Sequence, residues 1–426
     1  MNKFDELKKT PWTREVFPDL VNISYEELDD YPITESFPSF PKSFPTYKIA
    51  YTTGTVRRKV VEFSKRDFND AMLIFSKIIY LISGGTTMNK CLIVTGGPQY
   101  GSGLVRFMAE FLSKKIIGIT PLDFSNIDLM NKIANKGPYD AIMGIPAYVI
   151  EILKRYSSKV LSDSTKFVFG GDVLFDSIIK FIKDTAISVG KETIIYNLYA
   201  STESGFMAIS RDPENPSRME ILPELNIFHI GDIEKRVNIF NADLNLVGNI
   251  YPTPLRDLVI PLYNLKDVIK VVGFRKGIPI IEVLGRNVYK MVLSHEDIGE
   301  IEGEAGAIVK VLGIPINTHE FDKIFSKLRL DYIAIFYVLG NRADLVIYLE
   351  KDIDIDLLLK QFETSFELTP LIHGIKSNAI RVEVTKINLD PSKFKKGKEP
   401  PLKIPRVLVV KKKICLLYTS PSPRDR

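Results

Sequence analysis

Between residues 91 and 200 the sequence repeats one pattern: a short apolar run, a turn carrying Gly or Pro, then a segment with helical spacing. CLIVTGG (91–97) precedes GLVRFMAEFLSKK (103–115), and IIGITP (116–121) precedes NIDLMNKIANKG (126–137). AIMGIP (141–146) precedes AYVIEILKRY (147–156), and FVFGG (167–171) precedes FDSIIKFIKDTAI (175–187), before TIIYNLYA (193–200) closes the series. A strand buried on both faces reads as a continuous apolar run, and joining it to a parallel neighbour needs a crossover, usually a helix. The alternation therefore predicts an α/β domain whose mainly parallel sheet is flanked by helices.

The segments on either side extend this outline. The first 47 residues are rich in Pro and aromatics (FPDL, YPITESFPSFPKSFPTY) and are expected to wrap a domain surface as short helices and extended pieces. KIAYTTGT (48–55) and KVVEF (59–63) read as two strands around a Thr/Gly turn. In the following segment Ser64 is a plausible N-cap. Phe68, Ala71, Phe75, Ile78, Ile79 and Ile82 share a helical face that Gly84-Gly85 ends. From about Leu225 to Val283 strands with Pro and Gly turns suggest a β-rich subdomain. Beyond Gly285 a hairpin around Gly340-Asn341, an amphipathic helix (355–367) and a strand (379–387) suggest a small α+β domain.

A chain of 426 residues accommodates a large domain and a smaller companion. The expected division is 1–285 for a large domain and 286–414 for a small C-terminal domain. Residues 415–426, CLLYTSPSPRDR, resemble a translated sequencing adapter, are excluded from fold reasoning, and leave the natural C-terminus open. With 45% hydrophobic and 26% charged residues the composition is that of a soluble globular protein. The net charge of +5 is mild and the two signs are interspersed, so no nucleic-acid partner is expected. The start, MNKFDELKKTPW, lacks a signal peptide's apolar core, and the apolar run 71–82 is broken by Lys77. That run falls short of the roughly 20 residues of a membrane span, so neither secretion nor a membrane is expected. Two cysteines give no disulfide framework or metal cluster, which makes the cytoplasm the expected location. Oligomeric state is open.

Three polar turns carry the chemistry. Tyr51 to Lys59 (YTTGTVRRK) sets small hydroxylated residues around Gly54, so that backbone N–H groups can approach an anion. A solvated Thr/Gly hairpin with a basic edge fits that stretch equally. Phe169-Gly170-Gly171-Asp172 ends a strand before a helix, leaving room for a flat ligand or forming a plain turn. Tyr199-Ala200-Ser201-Thr202-Glu203 offers an aromatic plane, two hydroxyls and a carboxylate. Those groups suit a stacked base, a phosphate and an oxygen-bound Mg2+, and they suit an ordinary capped polar loop too.

Together, in this order, the three turns resemble the adenylate-forming superfamily, and within it the phenylacetate–CoA ligase-like branch, over residues 48 to about 410. The resemblance implies that Thr53, Gly54 and Thr55 stand in the loop gripping the β- and γ-phosphates, and that Gly170, Gly171 and Asp172 line the adenine. It implies that Tyr199 packs on adenine, with Ala200 and Ser201 in the same motif, that Thr202 touches the α-phosphate, and that Glu203 binds Mg2+. Gly144 to Tyr148 resembles the family's segment near the acyl pocket. Thr253-Pro254-Leu255 and Ile260 to Asp267 resemble the stretch in which Asp267 accepts from the ribose hydroxyls. Gly285-Arg286 matches the opening of the interdomain hinge, and Pro401 to Val407 the segment with the mobile catalytic lysine. Lys403 is its leading candidate and Lys398 the rival. Arg57 replaces a loop Gly, Ala200 the Gly of Y-G-x-T-E, and Lys266 the Gly before Asp267, while Val288 and Tyr289 occupy the place of the hinge acid.

The implied reaction is in-line attack of a carboxylate on the α-phosphorus of ATP. It gives an acyl-adenylate and pyrophosphate, and the acyl group then passes to a thiol. The expected catalytic residues are Lys403, Glu203 and Thr202; the expected ligands are ATP, Mg2+, a small carboxylic acid and CoA as acceptor. An acyl-acceptor protein is the alternative to CoA. A catalytically inactive nucleotide-binding sensor or scaffold is the alternative to an enzyme.

Overall fold

The computed structural model describes residues 3–52, 59–85, 88–95, 106, 109–110, 113–287, 289–312, 314–339, 342–365, 368–395 and 404–411. Thr53, Gly54, Thr55 and Arg57 of the Thr/Gly segment, the segment with Gly96 and Gly97, and both Lys398 and Lys403 lie outside them.

β1 (Lys48–Tyr51) and β2 (Val60–Phe63) pair antiparallel as a hairpin. β3 (Met88–Val94), β4 (Ser113–Ile119), β5 (Tyr139–Gly144), β6 (Leu161–Gly170) and β7 (Glu192–Ser201) then form a parallel array in the order β4-β3-β5-β6-β7. Alternate residues of each strand serve opposite cores. Leu92, Ile142, Phe167 and Phe169 face helices Pro146–Val160 and Asp176–Ser188, while Cys91, Ile93, Met143 and Val168 face helix Lys65–Ser83. The α/β expectation holds, and its physical basis is this two-faced burial.

Helix Lys65–Ser83 begins where the sequence says. The Ser64 hydroxyl accepts from Asp67 N at 3.1 Å and the Asp67 carboxylate accepts from Ser64 N at 3.2 Å, a reciprocal cap. Gly84, at φ 70°, ends the helix in the left-handed region. One boundary differs. Ser113, Lys114 and Lys115, expected at a helix end, belong to β4, where Met88 pairs with Ser113 and Lys90 with Lys115. β4 is the edge of the sheet, and a lysine-rich edge resists further strand pairing.

The β-rich part starts earlier than expected, at β8 (Gly205–Ile209). It continues through β9 (Arg218–Ile221), β10 (Asn226–Gly231), β11 (Arg236–Asn238), β12 (Val247–Pro254), β13 (Asp267–Arg275) and β14 (Ile278–Arg286). It is continuous with the parallel array in one twelve-stranded sheet, joined where β8 returns antiparallel to β7. The N-terminal strap packs on this part, with Phe4, Leu7, Leu20 and Leu28 buried against Ile227, Tyr251 and Leu262.

The remaining strands are β15 (Tyr289–His295), β16 (Gly299–Ala305), β17 (Ile308–Val311), β18 (Ile314–Asn317), β19 (Tyr332–Leu339), β20 (Arg342–Leu349), β21 (Ile380–Lys386), β22 (Phe394–Lys395) and β23 (Val407–Lys411). Seven of them form a second sheet in the order β21-β20-β19-β23-β16-β15-β22, while β17 and β18 pair as a hairpin. Helices Thr318–Leu328, Ile355–Phe362 and Thr369–Lys376 cover one face through Phe321, Phe325, Leu358, Phe362 and Leu371. Among the described residues no helix is long and apolar enough to cross a membrane.

Candidate active site

The carboxyl ends of the parallel strands open onto a cleft of about 1420 Å³. Thr95 after β3, Gly144 at the end of β5, Gly170 at the end of β6 and Ser201 at the end of β7 all line it. Open α/β sheets bind ligands in this crevice because the connections diverge there. At the Gly170-Gly171 turn a Cβ on Gly170 would lie 3.1 Å from the Leu198 carbonyl oxygen, and Gly171 takes φ +82°. The paired glycines keep the floor flat where a side chain would fill it. Asp172 follows in the cleft wall and accepts from Val173 N at 2.9 Å.

Tyr199, Ala200 and Ser201 end β7, and the chain reverses at once into β8, with Ala200 opposite Phe206 and Ser201 opposite Gly205. Ser201 Oγ accepts from Ser204 N at 2.9 Å and Gly205 takes φ +73°, so Thr202 and Glu203 form the tip of a tight hairpin. Ala200 is not among the residues with positive φ, so Ala fits where the resembled motif has Gly. Glu203 is only 9% exposed and pairs with Lys59 Nζ at 3.7 Å. The same ammonium donates to the Tyr263 hydroxyl. Burial lowers the Lys59 pKa, opposed by Glu203 and reinforced by Arg286 and Lys266. Burial, then Glu203, raises that of Tyr263, which keeps its phenol protonated.

A second constellation joins strands far apart in sequence. Asp267 opens β13 and Arg286 ends β14, directly opposite each other in the ladder. Arg286 Nε donates to Asp267 Oδ1 at 3.0 Å, and Tyr199 Oη donates to Asp267 Oδ2 at 2.8 Å. Asp267 is the largest cause holding the Arg286 pKa up, whereas burial and then Asp267 hold the Tyr199 phenol far above its usual range. Tyr199 is therefore a fixed donor. Each Asp267 oxygen retains a lone pair for a ligand hydroxyl. Lys266, just before it, takes φ 62°, and its amide donates to Asn264 Oδ1 at 2.9 Å.

Ten described residues that the sequence singled out, nine in the binding motifs and Arg286 at the hinge opening, line this one cleft. They are Gly170, Gly171, Asp172, Tyr199, Ala200, Ser201, Thr202, Glu203, Asp267 and Arg286. Thr52 and Lys59, on either side of the Thr/Gly loop, and Ile404, Pro405, Arg406 and Val407 line it as well. Tyr148, expected near an acyl pocket, is fully buried in the core against Phe124, while Gly144 and Ile145 reach the cleft. Sequence reasoning missed Lys59, Arg256 and Tyr263 as cleft residues. Each stood inside or beside a quoted motif, but their convergence on Glu203 arises only from sheet order.

Magnesium bound with a nucleotide takes one or two carboxylates and completes its shell with phosphate oxygens and water. Glu203, the carboxylate at the hairpin tip, fits that requirement. Among the described residues no group of three or more His, Cys, Asp and Glu side chains gathers into a self-sufficient metal site.

No protein-family model matches the sequence, and no curated protein matches it. Solved structures do resemble it. A 2-hydroxyisobutyryl-CoA ligase in its postadenylation state, in complex with R3-HIB-AMP, superposes with a TM-score of 0.62 at 15% identity, over 95% of this chain and 84% of that one. The AtGH3.15 acyl acid amido synthetase in complex with 2,4-DB gives 0.56 at 12% identity, over 90% and 84%. The amide bond synthetase McbA from Marinactinospora thermotolerans gives 0.53 at 12% identity, over 85% and 70%. This chain therefore shares its fold with this CoA ligase and these amide-forming synthetases.

Proposed function

We propose that this chain activates a small carboxylic acid with ATP, forming an acyl-adenylate and pyrophosphate, and passes the acyl group to the thiol of CoA. It would then be a carboxylate–CoA ligase of the phenylacetate–CoA ligase-like branch. The observation that carries this reading is the convergence on one cleft of the Gly170–Asp172 and Tyr199–Glu203 turns, the Asp267–Arg286 pair, and Thr52 and Lys59 from either side of the Thr/Gly segment. In this reading Tyr199 and the Gly170-Gly171 floor hold adenine, and Asp267 takes the ribose hydroxyls. Thr202 meets the α-phosphate, and Thr53, Gly54 and Thr55 grip the outer phosphates. Glu203 would hold Mg2+, which supplies charge neutralisation at the phosphates. Lys59 and Arg286 add fixed positive charge at the same place. Carboxylate attack needs positioning and relief of charge repulsion, not a covalent enzyme intermediate.

Lys403 is proposed as the catalytic lysine that enters the cleft from the lid, residues 286–414. The neighbouring Ile404 to Val407 line that cleft, which supports the assignment. Residues 1–285 would form the nucleotide- and acyl-binding domain. The test is ATP–pyrophosphate exchange with a panel of aryl and alkyl carboxylic acids. Exchange is expected with at least one acid, and Glu203→Gln should reduce it by about 100-fold. ATP binding without exchange for any acid would overturn the enzymatic reading.

A further inference from the structure

Rising from the Thr202–Glu203 hairpin, one arm of the cleft is apolar. Ala71, Phe75, Met143, Val168 and Phe206 line it, and the rings of Phe75 and Phe206 stack at 5.4 Å. A cation, Arg256, borders this arm. Arg256 follows β12, and its guanidinium lies 4.6 Å from the centre of the Phe63 ring. Its Nη2 donates to the Thr202 carbonyl at 3.2 Å, which ties it to the hairpin tip. Its Nη1 is shielded from water and has no hydrogen-bond partner among the described residues.

The neighbouring acid does not answer that donor. Asp67 accepts from Asp257 N through Oδ1 at 2.9 Å and from Ser64 N through Oδ2 at 3.2 Å, so each of its oxygens already serves a backbone amide. Burial lowers the Arg256 pKa, with Asp67 and Glu203 opposing it. A guanidinium withdrawn from water with an open donor gains from any acceptor that reaches it, and most from an anionic one. A guanidinium presents paired donors in a plane that matches a carboxylate better than a single point charge does.

We propose that Arg256 anchors the carboxylate of the acid substrate, one oxygen meeting Nη1, with the apolar body of the acid in the Phe75–Phe206 arm. This rests on the acid-activation reading and adds to it where the acid binds and what class of acid is taken: one with a single carboxylate and an aryl or alkyl body. The anchor also answers an electrostatic problem. A carboxylate nearing the α-phosphorus is repelled by the triphosphate, and a guanidinium bonded to the Thr202 carbonyl offsets that repulsion at the point of approach. When a carboxylate oxygen then bonds phosphorus and pyrophosphate leaves, the negative charge departs with pyrophosphate and Arg256 keeps its proton throughout.

The test uses the full chain, with benzoate, octanoate and their primary amides as probes, and compares wild type with Arg256→Met and Arg256→Lys. Calorimetry should show that wild type binds at least one acid much more tightly than its amide. Arg256→Met should weaken that acid by roughly 100-fold, as expected for removing one partner of a buried charge pair. The amide and ATP should change by less than about threefold, and Arg256→Lys should recover part of the loss. Equal weakening of acid and amide, no weakening of either, or a wild type that does not prefer acid over amide would each overturn the proposal. Because these readouts are binding constants, they answer even if exchange fails for every acid, so the two readings fail separately.

Discussion

Lys266 and Ala200 both stand where the resembled motifs carry glycine, yet only Lys266 has a positive φ, at 62°. A side chain in the left-handed region costs roughly 1–2 kcal/mol, so the glycine preference before Asp267 is conformational. The chain tolerates lysine there because Asn264 and Asn287 bond the peptide on either side, at 2.9 and 2.8 Å. Lys266→Gly should therefore leave stability unchanged or raise it by up to about 1 kcal/mol, whereas Lys266→Val should lower it by about 1–2 kcal/mol. Urea unfolding of both variants checks this, and equal effects would remove the strain argument. The motif residues were legible because each turn is a short local pattern. Lys59, Arg256 and Tyr263 were not, since their meaning depends on what the sheet sets beside them. Arg256 sits between Leu255 and Asp257 in a stretch that, as sequence, marks only a turn.

At the scale of elements, the Lys65–Ser83 helix could be read almost to the residue because its cap, apolar face and glycine stop are all local. The start of β4 could not, because Lys114 and Lys115 have no strand preference and are placed by pairing with β3. The contact between helices Asp176–Ser188 and Thr318–Leu328 was equally invisible. Asp322 reaches from the second helix to the start of the first, accepting from Ser177 N at 3.2 Å and Ser177 Oγ at 2.5 Å. It is 1% exposed, and burial pushes its pKa up from 3.8 to about 6, with Ser177 and Arg406 resisting and Asp176 adding to the rise. The folded state thus holds this proton more tightly than the unfolded state. The stabilisation it gives is complete below pH 3.8 and is lost as pH rises through about 6. Asp322→Asn removes the titration while keeping an acceptor for Ser177. Its stability relative to wild type should rise by on the order of 2 kcal/mol between pH 4 and pH 8. Thermal melts of both proteins across that range check the slope; parallel profiles would show that Asp322 does not titrate between folded and unfolded states.

For the whole molecule, the alternation between residues 91 and 200 told the fold class, but not that parallel and antiparallel parts share one sheet. That continuity comes from the reversal of β7 into β8, which sequence shows only as a polar turn with Gly205. Nor did it show how the second sheet docks. Helix Pro146–Val160 presents Lys154, whose ammonium meets Glu350 at 2.6 Å and Asp331 at 3.5 Å, and Arg155, which pairs with Asp390. Arg406, bordering both the cleft and β23, also pairs with Asp331 and donates to the Tyr332 carbonyl at 3.0 Å. Asp331 is thus the shared anion of two cations, one from each side of the contact. Burial alone would raise its pKa, but Arg406 and Lys154 outweigh that and hold it below 3.8. Its contribution is present above that value and lost as pH falls through the lowered one. Asp331→Asn leaves Arg406 without its paired carboxylate and Lys154 with Glu350 alone, and should cost about 2–3 kcal/mol, because a charge left buried and unpaired dominates such losses. Lys154→Met leaves Arg406 paired with Asp331 and frees a Glu350 that is 29% exposed, so it should cost less, about 0.5–1 kcal/mol. Small-angle scattering at neutral pH should show the radius of gyration growing in the same order, wild type, then Lys154→Met, then Asp331→Asn. Both variants scattering like wild type would mean that packing, not this charge node, seats the second sheet against the helix.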